Sequence, residues 1–290
     1  MRIVRFDGDL FKKTINEIVR VTELQGVPWT RFSELNRLLK GFRPHEMTVL
    51  SGHTGVGKTT FLCEYSLDLA ENGVNTMWGS FEMPLRKLCR TLIHQYAGEV
   101  LSPSAPDRVI SWASMFNQKV PMCFMNFHGS QTEVDVFKTM EEGVQEFGVE
   151  HIIIDNLQFL LGSSGNTFEE RFQRQDRFVQ KLRSFASHKG AHLTIVVHPR
   201  KEDFDRRLSI SSLYGGGKIA QEADNILLLQ TENNTAYPRK FLQVVKNRYD
   251  GTLGTLDLVF HKDRLSYRPR SLDLIVPAVA RTTVGARQNR

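Results

Sequence analysis

No apolar run in the chain approaches the ~18–20 residues that a membrane-spanning helix requires. Cysteine is scarce: Cys63, Cys89 and Cys123 are odd in number and show no CxxC or Cys/His ligand spacing. That argues against a disulfide framework and against structural zinc, and each cysteine, set in an apolar stretch, reads as a reduced core thiol. The first residues, MRIVRFDGDLFKK, lack the apolar core of a secretory signal. They also lack the Arg/Ser-rich, acid-poor make-up of a transit peptide. Internal repeats and low-complexity tracts are missing. Neither sign of charge dominates, and the formal net charge of +6 permits contact with a polyanion without demanding it; a basic surface kept for solubility fits equally well. What is present, 290 residues with 40% hydrophobic and 24% charged, is ordinary for a globular protein with one large core or two modest ones.

Apolar residues at Leu10, Phe11, Ile15, Ile18, Val19 and Leu24 predict a helix over about residues 8–24, ended by Gln25-Gly26-Val27-Pro28. Its apolar face can pack on its own domain or on a neighbouring subunit, and both readings stand. A second short helix is expected around Phe32, Leu35, Leu38 and Leu39, stopped by Gly41 and Pro44. From Met47 the pattern changes to short β-rich runs, at 47–50, 75–79, 122–127, 151–155 and 192–197. Between them lie helical stretches near 58–71, 85–98, 133–147 and 168–188. That alternation predicts a parallel sheet covered on both faces. After residue 224 the runs 225–230, 240–246, 254–260 and 264–267 follow without long helices, which predicts an antiparallel extension. The expected organisation is an N-terminal linker helix (1–26), one α/β core (27–270) and a small, polar, basic tail (271–290), partly disordered.

Gly52-His53-Thr54-Gly55-Val56-Gly57-Lys58-Thr59 fits G-x-x-x-x-G-K-[ST] at every fixed position, between an apolar strand and a helical run. Glycines there let backbone N–H groups surround a β-phosphate, with the helix N-terminus adding partial positive charge. Lys58 then reaches the β- and γ-phosphates, Thr59 ligates Mg²⁺, and Thr60 closes the nucleotide-binding stretch. His151-Ile152-Ile153-Ile154-Asp155 is an apolar strand ending in a carboxylate that can face the phosphates and hold Mg²⁺. Its plainer alternative is a cap for the following helix. Glu82, just past a strand end, can orient attacking water or simply favour a helix start. His198 closes another strand and can sense the γ-phosphate or serve only structure. Lys246 and Arg248, two apart, share one face of a strand end and read either as a cation pair aimed at a neighbour's γ-phosphate or as solvated charges before a turn.

Taken together, several strings resemble the DnaB-like ring helicases, a family that takes in the mitochondrial Twinkle-type enzymes and the helicase half of phage helicase-primases. They include Trp29–Phe32, Leu35–Gly41, Gly52–Thr59, Asn75–Glu82, Ile153–Phe159, His198–Asp203, Gln221–Asn225 and Lys246–Gly251. The resemblance runs from about residue 27 to 268; the region Leu101–Lys119 matches only loosely, and the family's primase-like half has no counterpart here.

In that family ATP binds between the subunits of a ring, usually a hexamer. The resemblance therefore implies ATP or another NTP with Mg²⁺, Glu82 as the catalytic glutamate, His198 as the phosphate sensor and Arg248 as a finger acting in trans beside Lys246. It implies a hexameric or heptameric homo-oligomer, with the N-terminal helix docked on the next subunit. It also implies ATP-driven 5′-to-3′ movement on single-stranded and forked DNA, alongside a replication polymerase and a single-strand-binding protein, in the mitochondrial matrix or nucleoid. Arg200, Lys201, Arg206, Arg207 and Lys218 around a flexible Gly215-Gly216-Gly217 loop are the expected DNA-contacting residues, although Glu202, Asp203 and Asp205 dilute the cluster. Two rivals remain: a RecA-type recombinase or strand-annealing ATPase, and a P-loop regulator of protein partners.

Overall fold

The central strands of the sheet are buried at every position, so both of its faces must be covered. A computed structural model describes residues 5–19, 26–126, 132–158, 168–200, 207–214, 216–232 and 238–270. The parallel strands are β1 (Met47–Ser51), β2 (Thr76–Ser80), β3 (Met122–Phe124), β4 (His151–Asp155), β5 (His192–Val196) and β6 (Asn225–Glu232). The antiparallel ones, β7 (Arg239–Asn247), β8 (Gly254–His261) and β9 (Ser266–Pro269), extend the sheet beyond β6. The full order is β3-β2-β4-β5-β1-β6-β7-β8-β9. Successive residues in a strand point to opposite faces, and the two cores divide accordingly. Leu50, Ile153, Leu227 and Leu229 join one, while Val49, Ile152, Ile154, Ile226 and Leu228 join the other. At ~25 cal/mol per Å² of apolar area, fully burying each such side chain contributes on the order of 1.5–3 kcal/mol.

Helices α1 (Gly8–Val19), α2 (Ser33–Leu39), α3 (Lys58–Glu71), α4 (Leu85–Ala97), α5 (Pro106–Lys119), α6 (Glu133–Phe147) and α7 (Phe168–Lys189) fill the connections. A short α8 (Gly216–Glu222) precedes β6. The helix expected over 8–24 is described as far as Val19, and residues 20–25 lie outside the described set. The strand expected over 122–127 ends at Phe124. Helix α5 was not expected from the apolar spacing: of its residues only Phe116 is fully buried. Cys63 is buried, whereas Cys89 and Cys123 are only partly so; all three are free thiols.

Helix α3 is buried on all sides, so its polar residues need partners. The Asp68 carboxylate accepts the Thr30 and Arg31 backbone N–H groups at 2.9 and 2.8 Å, and Glu64 takes Arg31 and Arg268. These contacts fasten the segment before β1 and the last strand to the helix that follows the phosphate loop.

At the amino ends of β4 and β5, His151 and His192 are buried with ring centroids 5.8 Å apart, both against Phe42. His151 Nε2 meets Thr194 Oγ1 at 2.9 Å; His192 meets Thr48 Oγ1 at 2.9 Å and the Arg43 carbonyl at 2.6 Å. Burial is the main cause that holds His151 well below the ordinary histidine range and His192 down at about 4. A depressed folded-state value means that stability is fully present above the unfolded value, near 6.5, and is lost as pH falls towards 4. His192 alone is therefore expected to cost ~2 kcal/mol between about pH 7.5 and about pH 5. Denaturant midpoints at those two pH values should converge in His192→Gln; an unchanged pH dependence in the variant would count against this account.

Candidate functional site

Four neighbouring strands, β2-β4-β5-β1, carry their carboxyl ends to one edge of the sheet. Ligands of open parallel sheets bind in the crevice outside such ends. There the chain assembles residues far apart in sequence: Glu82 after β2, Asp155 and Asn156 at the end of β4, His198 after β5, and Gly52–Gly57 after β1.

The loop turns with positive φ at Gly55 (79°) and Gly57 (98°), a region that favours glycine, and Gly57 leads directly into α3. A Cβ at Gly52 would strike the Leu229 carbonyl. Thr54 and Gly55 are exposed at the loop's tip and His53 is half-buried beside them. The Lys58 ammonium donates to the Gly52 and His53 carbonyls at 2.8 and 3.1 Å, across the mouth of the loop. Burial lowers its pKa, opposed by the nearby carboxylates of Asp155 and Glu82. The Thr60 carbonyl accepts the Gln95 side-chain amide at 3.0 Å, which ties the first turn of α3 to α4.

Thr59 Oγ1 donates to Asp155 Oδ2 at 2.5 Å. Burial raises the Asp155 carboxyl to about 6, with Glu82 pushing the same way and the Thr59 hydrogen bond and Lys58 pulling it down. A buried carboxylate and a hydroxyl converging beside the phosphate loop are hard oxygen donors of the kind that suits a divalent cation.

Asn156, fully buried, joins the other two predicted groups. Its side-chain amide donates to Glu82 Oε2 and to His198 Nε2, the latter at 2.8 Å. An imidazole nitrogen that accepts is unprotonated, so His198 carries its proton on Nδ1. Burial, then the charge of Lys58, lowers the His198 pKa, while Glu82 raises it. The 3.6 Å approach of His198 to Glu82 is therefore a carboxylate beside a neutral ring near pH 7, and not a charged pair. The Gln158 side-chain oxygen accepts the His198 backbone N–H at 3.2 Å. Asn156 and Gln158 were missed as site residues; only their position directly behind the strand-ending Asp155 marked them.

Lys246 and Arg248 lie elsewhere. Asn247 pairs with Asn225 and Thr48 also pairs with Asn225, which puts these cations at the amino ends of the parallel strands. The five residues of β1, roughly 16 Å at ~3.3 Å each, separate that edge from the phosphate loop of the same chain. The strand stops at Asn247, so Arg248 sits one residue past it. Both side chains still turn to the same place, the C-terminal end of α8. Lys246 Nζ donates to the Ala220 carbonyl at 2.6 Å, and Arg248 donates to the Gln221 carbonyl and to Asp224 Oδ1, the latter at 3.0 Å.

The expected DNA-contacting set is only partly visible. Lys201, Arg206 and Gly215 lie outside the described residues. Gly216, Gly217 and Lys218 do not belong to a flexible loop: they form the first turn of α8. Helix α8 packs against α7, with its Ile219 buried beside Ala223 just past its end, which gives the segment a reason to coil despite its glycines. Lys218 pairs with Glu222 at 2.9 Å and Arg207 with Glu232 at 3.6 Å, so each of these cations faces an acid of its own chain. Arg200 is exposed, its backbone N–H held by the Ser212 carbonyl at 2.8 Å.

Comparison with known proteins agrees with this architecture. A family model described as an AAA domain matches residues 17–203. The replicative DNA helicase DnaB of Geobacillus stearothermophilus is 23% identical over 261 residues, 83% of this chain and 56% of that protein. The DNA helicase/primase of Enterobacteria phage T3 is 23% identical over 263 residues, 84% of this chain and 45% of that protein. The chain thus spans about half the length of the relatives it matches. Among solved structures, a DnaB-like replicative helicase superposes with a TM-score of 0.74 at 19% identity, covering 90% of this chain and 67% of that one. With more than half of its length matched by the family model, the chain belongs to the AAA domain family, built on a RecA-like core.

Proposed function

We propose that the chain is the motor core of an ATP-dependent, ring-forming replicative DNA helicase. The observation that carries the reading is the split of the site. Lys58, Thr59, Asp155, Glu82, Asn156 and His198 converge at one edge of the sheet, while Arg248 and Lys246 stand one strand length away at the other. A cation so placed can complete a nucleotide site only on a neighbouring subunit. ATP is held by Gly52–Thr60, and Mg²⁺ by Thr59 and Asp155. Glu82, held by Asn156, accepts the proton of the attacking water; His198 reports the γ-phosphate through the same amide; Arg248 of the next subunit stabilises the charge that develops.

Helix α1 fits a ring as well. Its apolar side faces solvent, with Ile18 65% and Val19 74% exposed, so none of the described residues covers it. Docking on the next subunit would. DNA contact is assigned to Arg200, Lys201, Arg206, Arg207 and Lys218 around Gly215–Gly217, with polarity 5′-to-3′. The similarity to DnaB-type helicases favours this reading over a recombinase filament or a regulator of protein partners. Membership of the mitochondrial Twinkle-type branch, with a polymerase and a single-strand-binding protein as partners, rests on the resemblance of the strings from Trp29–Phe32 to Lys246–Gly251 taken together. A tagged protein found away from mitochondrial nucleoids would remove it.

The test uses forked DNA and light scattering on the full chain and on a chain lacking residues 1–25. The full chain is expected to form rings, hydrolyse ATP faster with single-stranded DNA and displace a strand. The shortened chain is expected to run as a monomer and lose displacement. ATPase activity indifferent to DNA would refute the helicase reading; an unchanged oligomer would refute the docking role of α1.

A further inference from the structure

A peptide of a phosphate loop that points its N–H group inward must turn its own carbonyl away. At the Val56–Gly57 peptide the outward carbonyl is not left to water. Val56 is 8% exposed, and its oxygen accepts Lys240 Nζ at 2.9 Å and Tyr267 Oη at 3.1 Å. The two donors are themselves 3.1 Å apart. Both carbonyl lone pairs are therefore occupied. Lys240 comes from β7 and Tyr267 from β9, strands added beyond the parallel core, so the antiparallel extension forms the back wall of the loop.

The brace is built rigidly. Tyr267 is 1% exposed, its ring 4.9 Å from Phe260 and 6.1 Å from Phe61 in the first turn of α3. The Lys240 ammonium lies 5.3 Å from the Tyr267 ring centre and 5.7 Å from that of Phe260. Gly57 leaves the room: a Cβ there would collide with the Tyr267 hydroxyl.

A trans peptide is planar, with C=O and N–H on opposite sides. Pinning the Val56 oxygen behind the loop therefore fixes the Gly57 N–H in front of it. Donors on a carbonyl also polarise the peptide and strengthen its own N–H as a donor. We propose that Lys240 and Tyr267 are positioning residues for phosphate binding, holding the Val56–Gly57 peptide with its N–H aimed at the β-phosphate of a nucleoside di- or triphosphate. The inference rests on Gly52–Thr59 being the nucleotide site, and its test separates the two.

The double variant Lys240→Met/Tyr267→Phe keeps the aliphatic stem and the ring while removing both donors. Its affinity for mant-ADP is expected to fall about tenfold or more, the factor that ~1.4 kcal/mol makes. Tripolyphosphate, which has no base or ribose, should lose competitive strength by the same factor. The KM for ATP should rise in proportion with kcat held, as for an interaction made equally in ground and transition states. Lys240→Arg should restore most of the affinity in the Tyr267→Phe background. A lower Tm with unchanged mant-ADP affinity would reduce the pair to a structural brace and overturn the proposal. So would a loss for mant-ADP that tripolyphosphate does not share. A parent chain that binds neither probe would sink the phosphate-loop reading itself.

Discussion

Lys58→Ala is expected to lower ATP turnover on the order of a thousandfold, the scale of losing a charged group that meets developing negative charge. Lys58 is buried at the mouth of the loop, where burial alone disfavours its charge; Asp155 and Glu82 keep the ammonium in place. Alanine removes the donor and leaves those two carboxylates facing incoming phosphates without their counter-charge. Repulsion should therefore weaken nucleotide binding as well as the chemistry. Steady-state ATPase with and without single-stranded DNA measures the effect, with circular dichroism confirming the fold. DNA-stimulated turnover that survived would end the assignment of Gly52–Thr59 as the nucleotide site.

Arg248→Ala is expected to behave differently. Nucleotide affinity should stay within a few-fold, because Arg248 stands at the amino ends of the strands, away from the phosphate loop of its own chain. Turnover should nonetheless fall by ~10³–10⁵, the range for loss of an arginine finger. Mixing Arg248→Ala with Lys58→Ala subunits makes the outcome specific. In a mixed ring, some sites combine an intact Lys58 with an intact Arg248 from the neighbour, and those sites should turn over. Rings that remain dead at every mixing ratio would show that the two residues do not meet across an interface. The same variant also frees the Gln221 carbonyl and one side of Asp224, which Arg183 still holds at 3.0 Å, so the fold around α8 should tolerate the change.

Much of the core was legible because it is local. The phosphate loop is contiguous, and strand, loop and helix follow one another in order, so its identity needed no tertiary information. Asp155 was readable as the end of an apolar run. The β1–β8 runs were legible for the same reason, since each is a short, largely apolar segment bounded by turn residues, whereas the last strand, expected over 264–267, runs Ser266–Pro269 because Ser-Tyr-Arg-Pro carries little apolar signal. Helix α5 was not, because a helix that buries only Phe116 leaves a weak apolar period. The usable sign was Pro106, set in its first turn. Gly216 and Gly217 misled in the opposite sense: glycine suggests a loop, but packing on α7 supplies what local propensity lacks.

The contiguous loop Gly52–Thr59 was determined by the sequence itself, since neighbours along a chain stay neighbours in any fold. Which other groups join it was decided only by the strand order β2-β4-β5-β1, which no single segment encodes. That order sets Asn156 between Glu82 and His198. The antiparallel extension delivers Lys240 and Tyr267 to the back of the loop. The reversal of β7 carries Arg248 to the opposite edge. Side-chain contacts across strands depend on register and sheet order, and these are fixed by the packing of two cores at once.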